Sequence, residues 1–409
     1  MTDSARTHDL VVYGATGFVG RLLAAYLAEH APAGLRVALA GRSRARVEEA
    51  RAGLPPAGRN WRVLEADSGD PASLAELAAS TRVLVTTVGP YARYGLPVVE
   101  ACARAGTHYA DLTGEALFVR EAIDRFDATA RGSRARIVHS CGFDSVPSDL
   151  AVLLLAERAA ADGAGGLRDV LLVASLRGGF SGGTIDSMRA QVEAVQREPA
   201  LRRLLTDPHA LSPQRDAEPD TRQPADAGRP ARTPDGRWTA PFVMASFNTR
   251  IVRRSNALQD WSYGRGLRYG EVMGCGRGPM GAVAATAVTA GLAGALAAMT
   301  FPPTRALLDR VLPAPGRGPS EAVRERGWFR MVVAADTESG RSYRATVAGT
   351  GDPGYAATAV MLGESALALA VDTDRLPDRA GSLTPATALG DVLVGRLRAA
   401  GHTYEVTPA

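Results

Sequence analysis

The chain has 409 residues, 46% hydrophobic and 22% charged, which suits a globular protein with a sizeable core and more than one ordinary domain. Its net charge of +4 comes from scattered arginines with no basic run interleaved with aromatics, so a nucleic-acid partner is not expected. There is no lysine, which excludes Schiff-base catalysis, a lysine-anchored pyridoxal cofactor and a Walker-type phosphate loop.

Three separated cysteines, Cys102, Cys141 and Cys275, form neither a disulfide framework nor a zinc cluster, and the six histidines lack paired spacing. A reducing cytoplasm and no metal site are expected. The polar start Met1–Arg6 leads straight into an apolar strand, so no secretory signal is expected.

That first strand, from Leu10, runs into Gly14-Ala-Thr-Gly17-Phe-Val-Gly20 and then a helix to Glu29. Gly14 allows a tight turn, Gly17 lets backbone approach a pyrophosphate, and Gly20 lets the helix lie close to the sheet. The helix start offers free N–H groups to the phosphates. A dinucleotide site follows. After the second strand, Arg36–Ala40, an NAD site would place an acid; this chain has Gly41-Arg42-Ser43-Arg44. Arginine's planar fork matches a 2′-phosphate, which favours NADP(H) over NAD(H); the plainer reading is that these arginines only begin a solvated helix.

Further strands are predicted at Val63–Asp67, Arg82–Val88, Tyr109–Leu112 and Arg136–Ser140, with helices at Pro71–Ser80, Pro97–Ala105 and Leu117–Arg131 between them. The fold class is α/β: an N-terminal Rossmann-like, doubly wound parallel sheet with a second α+β domain. Three parts are expected. Residues 1–146 form the NADP-binding domain, 147–350 a substrate or oligomerisation domain, and 351–409 C-terminal helices that pack back on the first domain.

The second part opens with a helix from Pro147 to Ala161, followed by a strand at Asp169–Leu176. Residues 207–237 are rich in Pro, Arg, Asp and Ala and read as a flexible insert. Strands are expected at Phe242–Val252, Leu267–Met273, Trp328–Ala335 and Ser342–Ala348, and helices at Gly354–Val371 and Pro385–Ala400. Gly278–Thr304 carries no charge and is long enough to span a bilayer, but is mostly Ala, Gly and Thr. A buried helix or hairpin, a membrane-surface element and a true span all remain open.

Together these segments resemble the saccharopine dehydrogenase-like superfamily, and within it the actinobacterial trans-acting enoyl reductases. The resemblance rests on Gly14–Gly20, Ala40–Ser43, Thr87-Val-Gly-Pro-Tyr91 with Tyr94-Gly95, Tyr109–Glu115, His139–Asp149, Ser181–Thr184, Gly354-Tyr355 and Leu383–Thr387. It implies an NADPH-dependent oxidoreductase of lipid or polyketide assembly that delivers hydride to an enoyl group. Its substrate would be a small-molecule or acyl-carrier-bound lipid-like compound. Apart from the resemblance, the uncharged segment at 278–304 leaves peripheral membrane association open, and the second domain is expected to supply a homo-oligomer contact. Two alternatives stay open: an imine or carbonyl reductase closer to the superfamily's namesake, and a non-catalytic NADP(H)-binding scaffold.

The expected cofactor wall is Gly14, Ala15, Thr16, Gly17, Phe18, Val19 and Gly20, with Arg42, Ser43 and Arg44. At neighbouring strand ends it adds Asp67, Val88, Gly89, Pro90, Tyr91, Cys141, Gly142 and Phe143. Catalytic candidates are Tyr91, Tyr94 and Asp144. The tyrosines equally suit packing at the domain seam, and Asp144 or Ser145 suits capping of the helix after Pro147. Asp111 and Glu115 are read as ribose ligands, proton carriers or caps of the next helix. Cys141 reads as a buried hydrophobe or a nucleophile. Gly179-Phe-Ser181-Gly-Gly183 matches a nucleophile elbow but also a plain glycine loop.

Overall fold

The computed structural model describes residues 6–178, 182–226, 228–300, 304 and 318–409. The alternation of apolar strands and helices in the first third builds six strands of a seven-stranded parallel sheet. These are β1 (His8–Tyr13), β2 (Val37–Gly41), β3 (Arg62–Glu65), β4 (Thr81–Thr86), β5 (His108–Ala110) and β6 (Arg136–Val138). The order β6-β5-β4-β1-β2-β3 puts the crossover between β1 and β4, where such sheets bind ligands beyond the strand ends. Helix Phe18–His30 buries Gly20, Leu23, Ala24, Leu27 and Ala28, one stripe at helical spacing, against the sheet.

The second sheet is mixed. It contains β7 (Leu167–Arg177), β8 (Ala231–Arg232), β9 (Arg237–Pro241), β10 (Arg268–Arg277), β11 (Trp328–Thr337) and β12 (Ser342–Thr350). Among the described residues only β7 and β10 run parallel there; the other pairs are antiparallel. Alternation governs β11, whose Phe329, Met331, Val333 and Ala335 are buried on one face.

The C-terminal part serves both sheets. Its helix Ala356–Val371 lies on helix Phe18–His30, where the Tyr26 hydroxyl donates to Glu364 at 2.5 Å. Strand β13 (Gly381–Leu383) then joins β6 as the seventh parallel strand, while β14 (Thr403–Pro408) pairs with β12 in the other sheet. Residues 351–409 thus contribute a helix against the first domain and one strand to each sheet. A short strand without alternation, such as Gly381–Leu383, has no pattern to betray it.

Three expectations change. Phe242–Val252 reads as a strand but becomes helix Ala245–Leu258. That helix is buried nearly all round, so neither of the two usual periodicities is visible. Its Arg250, Arg253 and Arg254 are buried and act as ties. Arg250 meets Asp226 at 2.7 Å, Arg253 donates to the Pro208 carbonyl at 3.2 Å, and Arg254 to the carbonyls of Leu211 and Ser382, each at 2.5 Å. Burial lowers Arg253 to about 10 and Arg254 to about 9, so both stay cationic at neutral pH.

Those ties fix the stretch read as a flexible insert. Among the described residues of 207–237, Ala210 and Leu211 are fully buried, and His209 lies 3.1 Å from Glu218. The carbonyls of Pro208 and Leu211 within it accept from buried guanidinium groups, which holds a stretch poor in large apolar side chains.

Finally, Gly278–Thr300 is one helix, and most of its outward face meets solvent. Gly281 and Ala285 are buried, but Met280 and Val283 are 76% and 62% exposed. The buried-helix reading is therefore corrected. By length and composition alone this is the one helix among the described residues able to cross a membrane.

Candidate active site

A cavity of about 1280 Å³ lies at the C-terminal ends of β1, β4 and β5 and reaches under the second sheet. Its first wall is the glycine turn. Gly14 adopts φ +91°, which L-residues rarely take, and a Cβ on Gly20 would lie 2.2 Å from the Gly14 carbonyl oxygen. No side chain caps helix Phe18–His30 at Gly17, so its first N–H groups are left for a ligand. Thr16, Gly17, Phe18, Val19 and Arg42 all line this wall. The cradle fits a pyrophosphate, with a guanidinium placed for a second anionic group.

Beyond β4, Val88, Gly89 and Pro90 line the cavity, with Tyr91 and Tyr94 in the first turn of helix Tyr91–Ala105. The two tyrosines differ in what they can do. Tyr91 is buried; its hydroxyl donates to the Thr86 carbonyl at 3.2 Å and accepts from the Leu112 N–H at 3.1 Å. Burial pushes it well above the usual phenol range. Tyr94 is 37% exposed and carries its ring into the cavity wall.

After β5 the chain turns on Asp111, which accepts from Tyr109, Thr113, Ser140 and His139, the last at 2.7 Å. All these partners are buried, so Asp111 organises the turn and does not reach the cavity. Glu115 caps a helix, but an earlier one than expected. Its carboxylate accepts from the N–H groups of Tyr91 at 3.0 Å and Ala92 at 2.8 Å, the start of helix Tyr91–Ala105. Burial raises its pKa, against the lowering effect of Ser187 and these two N–H groups.

Asp144 follows β6 and faces the cavity beside Gly114, whose added Cβ would lie 3.9 Å from Oδ2. Among the described residues nothing hydrogen-bonds this carboxylate, and burial pushes it up to about 7. It does not cap the helix Val146–Ala161, where Ser145 also makes no side-chain cap bond.

Several expected residues lie off the cavity. Ala15 turns into the core, and Cys141 is fully buried with its thiol pushed up by burial, which suits the hydrophobe and not the nucleophile. Phe143 stacks edge-on against Phe329 at 5.1 Å, and Gly142 packs under Leu112. Arg44 donates to the Val63 carbonyl at 3.3 Å, and Asp67 accepts from the Gly69 N–H at 2.9 Å. Their neighbours Ser68 and Arg42 hold the wall instead. Ser43 sits at the start of helix Arg44–Ala52, next to Arg42 but outside the wall. The possible nucleophile elbow at Gly179–Ser181 lies outside the described residues.

Sequence reasoning missed the far wall. Met188 and Val192 from helix Gly182–Arg197, Phe242 and Phe247 around the start of helix Ala245–Leu258, and Leu292 and Leu296 from helix Gly278–Thr300 make it apolar. Their signal was weak, because a cavity wall and a core contact show the same apolar spacing. Tyr355, in a segment quoted above without a role, closes the near end edge-on to Phe18 at 5.0 Å.

Residues 10–137 match the saccharopine dehydrogenase NADP binding domain. A trans-acting enoyl reductase of Mycobacterium ulcerans is 46% identical, covering 100% of this chain and 99% of its own. A Mycobacterium tuberculosis protein, whose name assigns that activity provisionally, is 51% identical with the same coverage. The chain belongs to the trans-acting enoyl reductase family. Its first domain binds NADP(H), and the chain is an oxidoreductase. The fold matches that of a solved saccharopine dehydrogenase (L-Glu forming) from Saccharomyces cerevisiae, with a TM-score of 0.55 at 13% identity over 98% of this chain and 99% of that one.

Proposed function

We propose that the chain reduces the carbon–carbon double bond of an enoyl thioester whose acyl chain is apolar and arrives on a carrier. The observation that carries this reading is Asp144, a carboxyl at the cavity wall with no hydrogen-bond partner among the described residues, its pKa pushed up to about 7 by burial. It stands between a dinucleotide cradle and an apolar chamber.

Reduced nicotinamide, when bound, supplies the hydride that the β-carbon takes. Residues of the chain do the rest. The glycine turn and Arg42 hold the pyrophosphate and the 2′-phosphate, with Ser43 beside them. Tyr94 donates to the thioester carbonyl oxygen, where negative charge gathers as the β-carbon is attacked. Asp144 gives its proton to the α-carbon and recovers one from solvent. Tyr91, with both hydroxyl functions engaged, positions the loop and takes no part in proton transfer. The apolar wall excludes water and aligns the acyl chain.

Arg202, at the cavity wall, is the feature that would suit a carboxylate-bearing substrate and hence an imine or carbonyl reduction. The test is NADPH oxidation with enoyl thioesters of increasing length beside keto acids mixed with amines. Turnover that rises along the acyl series supports the enoyl reading. Turnover confined to the keto acid mixture overturns it.

A further inference from the structure

We propose that the outer face of helix Gly278–Thr300, together with the arginine-bearing hairpin at its first turn, docks on an anionic lipid bilayer surface. The helix has no charged residue along its length. It places Met280 and Val283 in solvent on the face opposite the cavity-lining Leu292 and Leu296.

What covers this face is indicated by the charge beside it. Arg277 precedes the helix directly and faces Arg237 in the β9–β10 register. Arg232 faces Trp238 in the β8–β9 register, its guanidinium 5.8 Å from the indole centre. Asp235 pairs with Arg277 at 3.1 Å, which leaves the corner net positive. An apolar helix flanked by arginines and a tryptophan matches the boundary between acyl chains and anionic headgroups. A second copy of the chain would bring the same positive corner, and an apolar patch alone would not need it.

The helix lies on the surface and does not span it. A span would strip Gly281 and Ala285 from β9 and β10, where Gly281 already packs against Trp238. Much of the outer face is Ala and Gly, so apolar burial alone is weak and the arginines must contribute much of the affinity. Leu296, about 160° round the helix from Met280, turns with Leu292 to the cavity wall instead.

The test is flotation of the full-length protein with phosphatidylcholine vesicles, with and without phosphatidylglycerol, at low and high salt. The protein should float only with the anionic vesicles, and salt should release it. Arg232→Ala and Arg237→Ala should each weaken binding about fivefold. The double variant Met280→Glu, Val283→Glu should abolish it, with NADPH affinity unchanged as the check on folding. No flotation of the unmodified protein overturns the proposal, as does flotation indifferent to the glutamates. A dimer dissolved by the glutamates, with no vesicle binding, also overturns it and gives the face to a second copy. Enoyl turnover that persists without flotation leaves the proposed chemistry standing.

Discussion

The Ser187 hydroxyl donates to Glu115 Oε1 at 2.7 Å, and the same carboxylate holds the first two N–H groups of helix Tyr91–Ala105. One buried carboxylate therefore joins the loop after β4 to helix Gly182–Arg197, which carries Met188 and Val192 of the apolar wall. Ser187→Ala removes a hydrogen bond to a charged group while leaving the dinucleotide cradle untouched. Its kcat/KM for enoyl substrate should fall about tenfold, with NADPH affinity within about twofold of the parent. Paired steady-state kinetics and fluorescence titration check this; equal losses in both would make the contact merely structural.

In the proposed function Arg42, at the cavity wall, is the cation that meets the 2′-phosphate. Arg42→Asp should weaken NADPH binding by about 10- to 100-fold and leave NADH binding nearly unchanged, because only NADPH carries the extra phosphate. Titration with both cofactors decides it. Equal loss for the two would remove the assignment.

Asp144 gives a pH dependence with a definite sign. Its folded pKa, about 7, lies above the ordinary carboxyl value of 3.8, so the folded state binds more protons than the unfolded state between these values. This group's contribution to stability is therefore present at low pH and lost as pH rises through that window. Asp144→Asn should flatten the corresponding slope of Tm against pH. It should also lower kcat by about 100-fold or more, and the parent's rate should decline above pH 7 as the acid ionises. A variant with full activity would exclude Asp144 as the proton donor.

The tyrosines separate by what they touch. Tyr94→Phe should cost about 10- to 100-fold in kcat with little change in Tm, since it removes a donor at the cavity wall. Tyr91→Phe strands the half-buried Leu112 N–H and should cost about 1–2 kcal/mol of stability, with activity per folded molecule nearly kept. Thermal melts alongside turnover distinguish the two patterns.

The first domain was legible because its chemistry is local. Gly14, Gly17 and Gly20 are needed by one turn, and the strands before and after them read as continuous apolar runs. Arg42 was legible for the same reason: it stands where an acid would otherwise sit. The far side of the site was not. Glu115 reaches back 24 residues to Tyr91 and across to Ser187, and no spacing rule encodes such a contact. Helix Ala245–Leu258 hid because it buries three arginines, which sequence reading assigns to solvent. The same arginines explain why a Pro- and Arg-rich stretch at 207–237 is held in place.

That account makes Arg254 a structural tie. Arg254→Met would leave the carbonyls of Leu211 and Ser382 without their donor and should destabilise the chain by about 2–4 kcal/mol. Limited proteolysis should then cut within 207–226 at protease levels that spare the parent. Cleavage at unchanged rate would mean that the stretch is held by other contacts.

The central claim, hydride to an enoyl carbon with a proton from the protein, is tested most directly by isotope placement. Full-length protein, NADPH deuterated at the transferred position and an enoyl thioester would be combined in ordinary water, and the product read by mass spectrometry and NMR. One deuterium at the β-carbon, one solvent-derived hydrogen at the α-carbon and one NADPH oxidised per product are the predicted result. Tight NADPH binding with no deuterium in any enoyl thioester, but deuterium in the product of a keto acid and amine, would contradict it.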